Sequence, residues 1–105
     1  MYNILITSAG RRVGLVRAFQ TELKKKFPTS KVYTAEVNPQ WSSACRISDE
    51  YFTIPRVENE NYINSILELC IKTGIKIVIP TIDTELLVLS AAKELFLLNK
   101  IQIIV

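Results

Sequence analysis

Apolar positions in this 105-residue chain fall into short continuous runs separated by longer stripes at helical spacing. Ile4–Thr7 is a short, β-branched apolar run and predicts a first strand. Leu15, Val16, Phe19 and Leu23 recur three to four residues apart, which predicts an amphipathic helix over 12–26, closed by Pro28. Lys31–Val37 predicts a second strand, Asn38-Pro39 a turn, Ser42–Ile47 a short helix, and Tyr51–Ile54 a third strand stopped by Pro55. Asn59 or Asn61 caps the next helix; its stripe is Tyr62, Ile63, Ile66, Leu67, Cys70 and Ile71, and Gly74 ends it. Ile75–Ile79 is almost wholly apolar, as a parallel strand covered on both faces should be. A single long helix over 83–98 and a fifth strand, Ile101–Val105, complete the pattern.

Strands thus alternate with helices, which implies an α/β fold with a parallel sheet. Right-handed crossovers leave few topologies, and the expected one is a doubly wound five-stranded sheet in the order 3-2-1-4-5.

Composition narrows the function classes. The chain is 49% hydrophobic and 22% charged, in the range of one globular domain. No apolar run is long enough to span a bilayer, and the opening MYNILITSAG lacks a basic leader, so a membrane partner is not expected. The chain has no histidine, which removes Ser-His-Asp and Cys-His catalysis and histidine metal sites. Cys45 and Cys70 are expected as free thiols in a reducing, cytoplasmic setting. The net charge of +3 owes much to Lys24-Lys25-Lys26, which sit where cations complement a helix dipole. No wide basic face with interleaved aromatics appears, so no nucleic-acid partner is expected. The chain stops inside an apolar strand, IQIIV, and is therefore expected to be a fragment of a longer protein.

In a sheet of this order, ligands bind beyond the carboxyl ends of the strands, at the reversal between strands one and four. Two loops wall that crevice: Thr7 to Arg12 and Pro80 to Glu85, with Glu36 to Pro39 alongside. Ser8, Gly10, Arg11 and Arg12 combine a hydroxyl, backbone amides, a helix start and two guanidiniums, a set that suits phosphate or carboxylate. Gly10 allows the sharp turn, and Gly14 would let the helix approach the sheet. The spacing Gly-x-x-x-Gly is not the dinucleotide fingerprint. The bland alternatives stay open: Arg11 and Arg12 as solvated surface, Glu36 as a loop acid rather than a ribose-binding one, and Asp83 as an N-cap. Thr81, Asp83 and Glu85 crowd one strand exit more densely than capping needs. Arg11 and Arg12 would face Asp83 and Glu85 across the crevice, and Trp41 and Tyr62 are expected to be packing residues.

The stretches ILITSAGRRVGLVRAF, VNP, YFTIPRV and IVIPTIDTEL resemble the N-terminal domain of ATP-grasp proteins, most nearly the short group named after the carbamoyl-phosphate synthase large subunit. That resemblance spans the whole chain. It implies a Rossmann-like pre-ATP-grasp domain, residues 1–105, that precedes a C-terminal ATP-grasp domain binding ATP and Mg²⁺. The implied chemistry is carboxylate–amine ligation through an acyl phosphate, with Ser8–Arg12 and Thr81–Glu85 facing a small anionic substrate. No catalytic or metal-binding residue is implied here, and the fragment alone is expected to be inactive. The competing expectations are a stand-alone module that senses a nucleotide or another anion, and an interaction domain with no ligand.

Overall fold

The structure, a computed structural model, describes residues 3–10 and 12–104. Five strands form one all-parallel sheet: β1 (Asn3–Thr7), β2 (Val32–Glu36), β3 (Glu50–Thr53), β4 (Ile75–Pro80) and β5 (Gln102–Ile103), in the order β3-β2-β1-β4-β5. The expected topology is the observed one.

Because side chains alternate across a strand, each central strand feeds two cores. Ile4 and Ile6 of β1, with Val32, Ile77 and Ile79, face one side. There they meet Val16 and Phe19 of α1 (Val13–Lys26) and Ala44 of α2 (Ser43–Ile47). Leu5, Tyr33, Ala35 and Val78 face the other side. They pack on Tyr62, Ile66 and Cys70 of α3 (Tyr62–Thr73), Leu89 of α4 (Asp83–Ala91) and Phe96 of α5 (Lys93–Leu98). Residues that helical spacing places on one stripe thus land on one core.

Asn3 ties three elements at the bottom of the sheet. Its Nδ2 donates to the Thr73 carbonyl at 3.2 Å, and its Oδ1 accepts from the Lys31 amide at 2.9 Å. Beside it the β1–β4 register slips, Asn3 facing Ile75 and Ile4 facing Ile77, so Lys76 is passed over and left exposed. Gly74 closes α3 in the left-handed conformation, φ +70°, as a glycine C-cap should. Cys45 and Cys70 are free and buried.

Several boundaries differ from the pattern. The long helix over 83–98 is two helices, broken at Ala92, whose φ of −98° and ψ of 4° leave the helical range. No glycine or proline marks the break. Leu89 before the break and Phe96 after it both reach the core on the α3 side. Asn61 occupies the α3 cap position without a side-chain bond; instead Asn59 Oδ1 accepts from the Asn61 amide at 2.8 Å. Ile82, not Asp83, is the cap residue of α4. A Cβ on Gly14 would meet nothing within 4 Å, so close helix–sheet packing does not require that glycine. Strand five spans Gln102–Ile103 with one further bond from the Ile104 amide to Val78, and Val105 lies outside the described residues.

Candidate functional site

The carboxyl end of β1 is held by both of its neighbours. Thr81, in the β4–α4 loop, directs its hydroxyl to the carbonyls of Thr7 and Ser8, at 2.9 and 2.7 Å. On the other side the Ser8 amide donates to Ala35 of β2 at 2.8 Å. Ser8 then turns with φ +50°, a left-handed conformation that costs a non-glycine residue about 1 kcal/mol. Gly10 follows at φ +53°, where glycine carries no such cost. Its carbonyl accepts from the Ser42 hydroxyl at 2.6 Å and from the Ala44 amide at 3.1 Å, which fixes the glycine turn to α2.

Two carboxylates anchor the site. Glu36 Oε2 accepts from the Gly10 amide at 2.9 Å, and its Oε1 accepts from the Val37 amide at 3.2 Å. The glycine-turn amide that could receive an external anion therefore already holds one supplied by the chain. Glu85, in the first turn of α4, is only 1% exposed. Its Oε1 accepts from the Thr7 hydroxyl at 3.1 Å and its Oε2 from the Tyr62 hydroxyl. The start of α4 lends partial positive charge to this buried acid. Burial, then the hydrogen bond to Glu85 and its charge, raise the Tyr62 pKa well above the usual tyrosine value, so the phenol stays protonated and donating.

Above these groups lies a cleft of about 630 Å³, within the range of ligand-binding clefts. Ser8 and Gly10, the β2 exit (Glu36, Val37, Asn38), Trp41 and Ser42, the β3 exit from Ile54 to Glu58, Tyr62, and Ile82, Thr84 and Glu85 line it. The cleft thus extends from the β1–β4 reversal across the ends of β2 and β3.

Among the expected site residues, Ser8, Gly10, Glu36 and Glu85 line this cleft together. Arg12, Thr81 and Asp83 stand outside its lining, and Arg11 lies outside the described residues. Arg12 reaches the β4–α4 loop across the crevice but forms no ion pair with Asp83 or Glu85. Its Nη2 donates to the Thr81 carbonyl at 3.2 Å in an exposed position. The reason is helical phase: Glu85 points inward to Thr7 and Tyr62, while Asp83, two residues earlier, is exposed. Tyr62 is buried, as a packing residue should be, but it also contributes its hydroxyl to the floor. Trp41 is not a packing residue; it is 81% exposed at the rim. The one-turn helix Pro39–Trp41 buries Pro39 and turns the indole outward. The β3 exit, with Arg56 and Glu58, completes the cleft. The topology could have signalled it, since a parallel sheet brings every strand's carboxyl end to one side.

No helix among the described residues is long and apolar enough to cross a membrane. Nor is any group of three or more His, Cys, Asp or Glu among them placed to hold a metal ion.

A Rossmann-like α/β domain with a ligand-sized cleft at the carboxyl edge of its sheet is the class these features define. The chain belongs to the PylC-like N-terminal domain family, an ATP-grasp-associated domain whose model matches residues 4–104. No curated protein matches it. In fold it is similar to a dTDP-glucose 4,6-dehydratase from Bacillus anthracis, solved in complex with NAD, with a TM-score of 0.59 at 14% identity. That likeness covers 98% of this chain and 36% of the dehydratase, so the chain spans about a third of that protein's length.

Proposed function

We propose that this chain is the N-terminal, substrate-binding domain of an ATP-dependent carboxylate–amine ligase of the ATP-grasp type, in the short group named after the carbamoyl-phosphate synthase large subunit. The observation that carries the proposal is the family match over residues 4–104, nearly the whole chain. The carboxylate substrate, or the acyl phosphate made from it, would stand at the start of α1, beside Arg12 and its sequence neighbour Arg11. Backbone amides and guanidinium groups both favour an anion there. Thr81 and Asp83 on the facing loop would bound it. ATP and Mg²⁺ would be held mainly by the ATP-grasp domain, because the described residues supply no metal-binding cluster. When bound, MgATP supplies the phosphoryl group that activates the carboxylate. This chain's part is to bind and orient the acceptor, in the cytoplasm.

The test joins the chain to an ATP-grasp domain of the same family and follows ADP formation that depends on added carboxylate and amine. The chain alone should release no phosphate from MgATP, and the fusion should. In the fusion, Arg12→Ala should raise the KM for the carboxylate about tenfold, the size of one charge-assisted hydrogen bond, and leave the thermal midpoint nearly unchanged. Unchanged KM with a lowered midpoint would make Arg12 structural. Magnesium-dependent phosphate release by the chain alone would refute its role as a non-catalytic domain.

A further inference from the structure

We infer that the β2–β3 half of the cleft is a nucleoside subsite, with Trp41 as the stacking surface for the base and Glu36 as the acceptor for the ribose hydroxyls. It lies away from Arg12 and does not depend on the ligase assignment.

The first observation is Trp41 itself. An indole left 81% exposed forgoes the large burial that usually places tryptophan in a core. Here it is presented on a firm mount: the Trp41 amide donates to the Asn38 carbonyl at 3.1 Å, and the Ser42 amide to Pro39 at 3.0 Å. Ser42 is in turn locked to Gly10 and, through its Oγ, caps α2 by accepting from the Cys45 amide at 3.1 Å. A solvent-facing aromatic on a fixed backbone at the rim of a cleft is an arrangement that can stack on a planar ring.

The second observation is Glu36. An ionised carboxylate has about four acceptor positions, and backbone amides take two of them. Those two bonds fix the group in place and leave the others for the cleft that it lines. The end of β2 is where doubly wound folds receive a ribose diol.

The third observation decides charge. Glu36, Glu58 and Glu85 line the cleft against Arg56 alone among the described residues. The Gly10 amide, the natural phosphate donor of this turn, is occupied by Glu36. An acceptor-rich cleft of this kind suits the hydroxyls and exocyclic amine of a nucleoside and repels a phosphate. The occupant is therefore a nucleoside rather than a nucleotide.

Trp41 is the chain's only tryptophan, so its fluorescence reports the subsite directly. Adenosine and AMP should be titrated into the intact chain by fluorescence and by calorimetry. Adenosine should quench saturably and bind at least tenfold more tightly than AMP. Trp41→Ala should weaken adenosine about tenfold by calorimetry, as loss of a base-stacking partner does, while Trp41→Phe keeps most of the affinity. Because Trp41 is exposed, both variants should keep the wild-type thermal midpoint. 2′,3′-Dideoxyadenosine should bind about tenfold more weakly than adenosine, whatever the fate of any Glu36 variant. No saturable adenosine binding, binding indifferent to Trp41→Ala, equal binding of the dideoxy compound, or AMP binding as tightly as adenosine would each overturn the proposal. None of these outcomes depends on ligase turnover, so this inference can fail while the ligase assignment stands, and the reverse.

Discussion

Glu85 sits under two opposed demands. Its carboxyl is a polar group removed from water, a costly placement unless it is hydrogen-bonded. Thr7, Tyr62 and the first turn of α4 meet that need, with no cation paired to Glu85 among the described residues. Tyr62→Phe would remove one of two side-chain donors and leave the buried acid short, at a cost of about 1–3 kcal/mol at neutral pH; urea midpoints would measure it. The same neighbourhood gives a pH dependence with a definite sign. Burial pushes the Cys70 thiol up to about 12, against a usual 9.0, and Tyr62 is raised as well. Above the usual thiol value the unfolded chain sheds protons that the folded chain keeps. Stability should therefore be flat below pH 9 and fall as pH rises further, by up to about 1.4 kcal/mol per pH unit for each group. Urea midpoints at pH 8, 9.5 and 10.5 would show the fall, and Cys70→Ala should make it shallower. A midpoint that rises across that range would contradict this assignment. None of this was legible beforehand in the string Thr81-Ile82-Asp83-Thr84-Glu85. The string reads as polar and crowded, but which acid turns inward depends on where the helix begins. A helix starting at Asp83 rather than one capped by it decides that phase.

At the scale of elements, apolar spacing carried most of the fold. The stripe Tyr62, Ile66, Cys70 is buried as its period requires, and the short runs of β1 and β4 are central strands. The spacing failed where no local chemistry marks a change of direction, as at Ala92 between α4 and α5. Phe96, just after the break, is fully buried. Leu98, two residues on, is 83% exposed. Phe96→Ala should cost about 3–5 kcal/mol, and Leu98→Ala less than about 0.5 kcal/mol. Thermal melts of both variants measure how sharply the two faces of α5 divide. Trp41 failed differently: a large aromatic is apolar by composition, and only the tight turn after Asn38 turns it outward.

For the whole molecule, the parallel direction of the strands brings the loops after β1, β2, β3 and β4 to one end of the sheet, and the strand order was already legible in the sequence. Which loops together make a cleft was less legible, because the β3 exit joins it only through the three-dimensional placement of Ile54 to Glu58. The exposed leucines Leu87, Leu95, Leu97 and Leu98, with Ile104, gather on the last two helices and beside β5.

The place of β1 at the middle of the sheet also bears on the order in which the molecule can be made. A ribosome delivers Asn3–Thr7 first, yet that strand is finished on its second edge only when Ile75–Pro80 arrives about seventy residues later. Until then the growing chain holds a strand that is buried along its whole length in the finished fold with one side unpaired, an invitation to pair with another chain. Nascent chains stalled before β4 emerges should remain protease-sensitive and bound by chaperones, and those stalled after β4 and its helices emerge should become resistant within one short interval of added length. Gradual protection with length, beginning at β2, would instead mean that the first two strands and α1 form a stable unit by themselves.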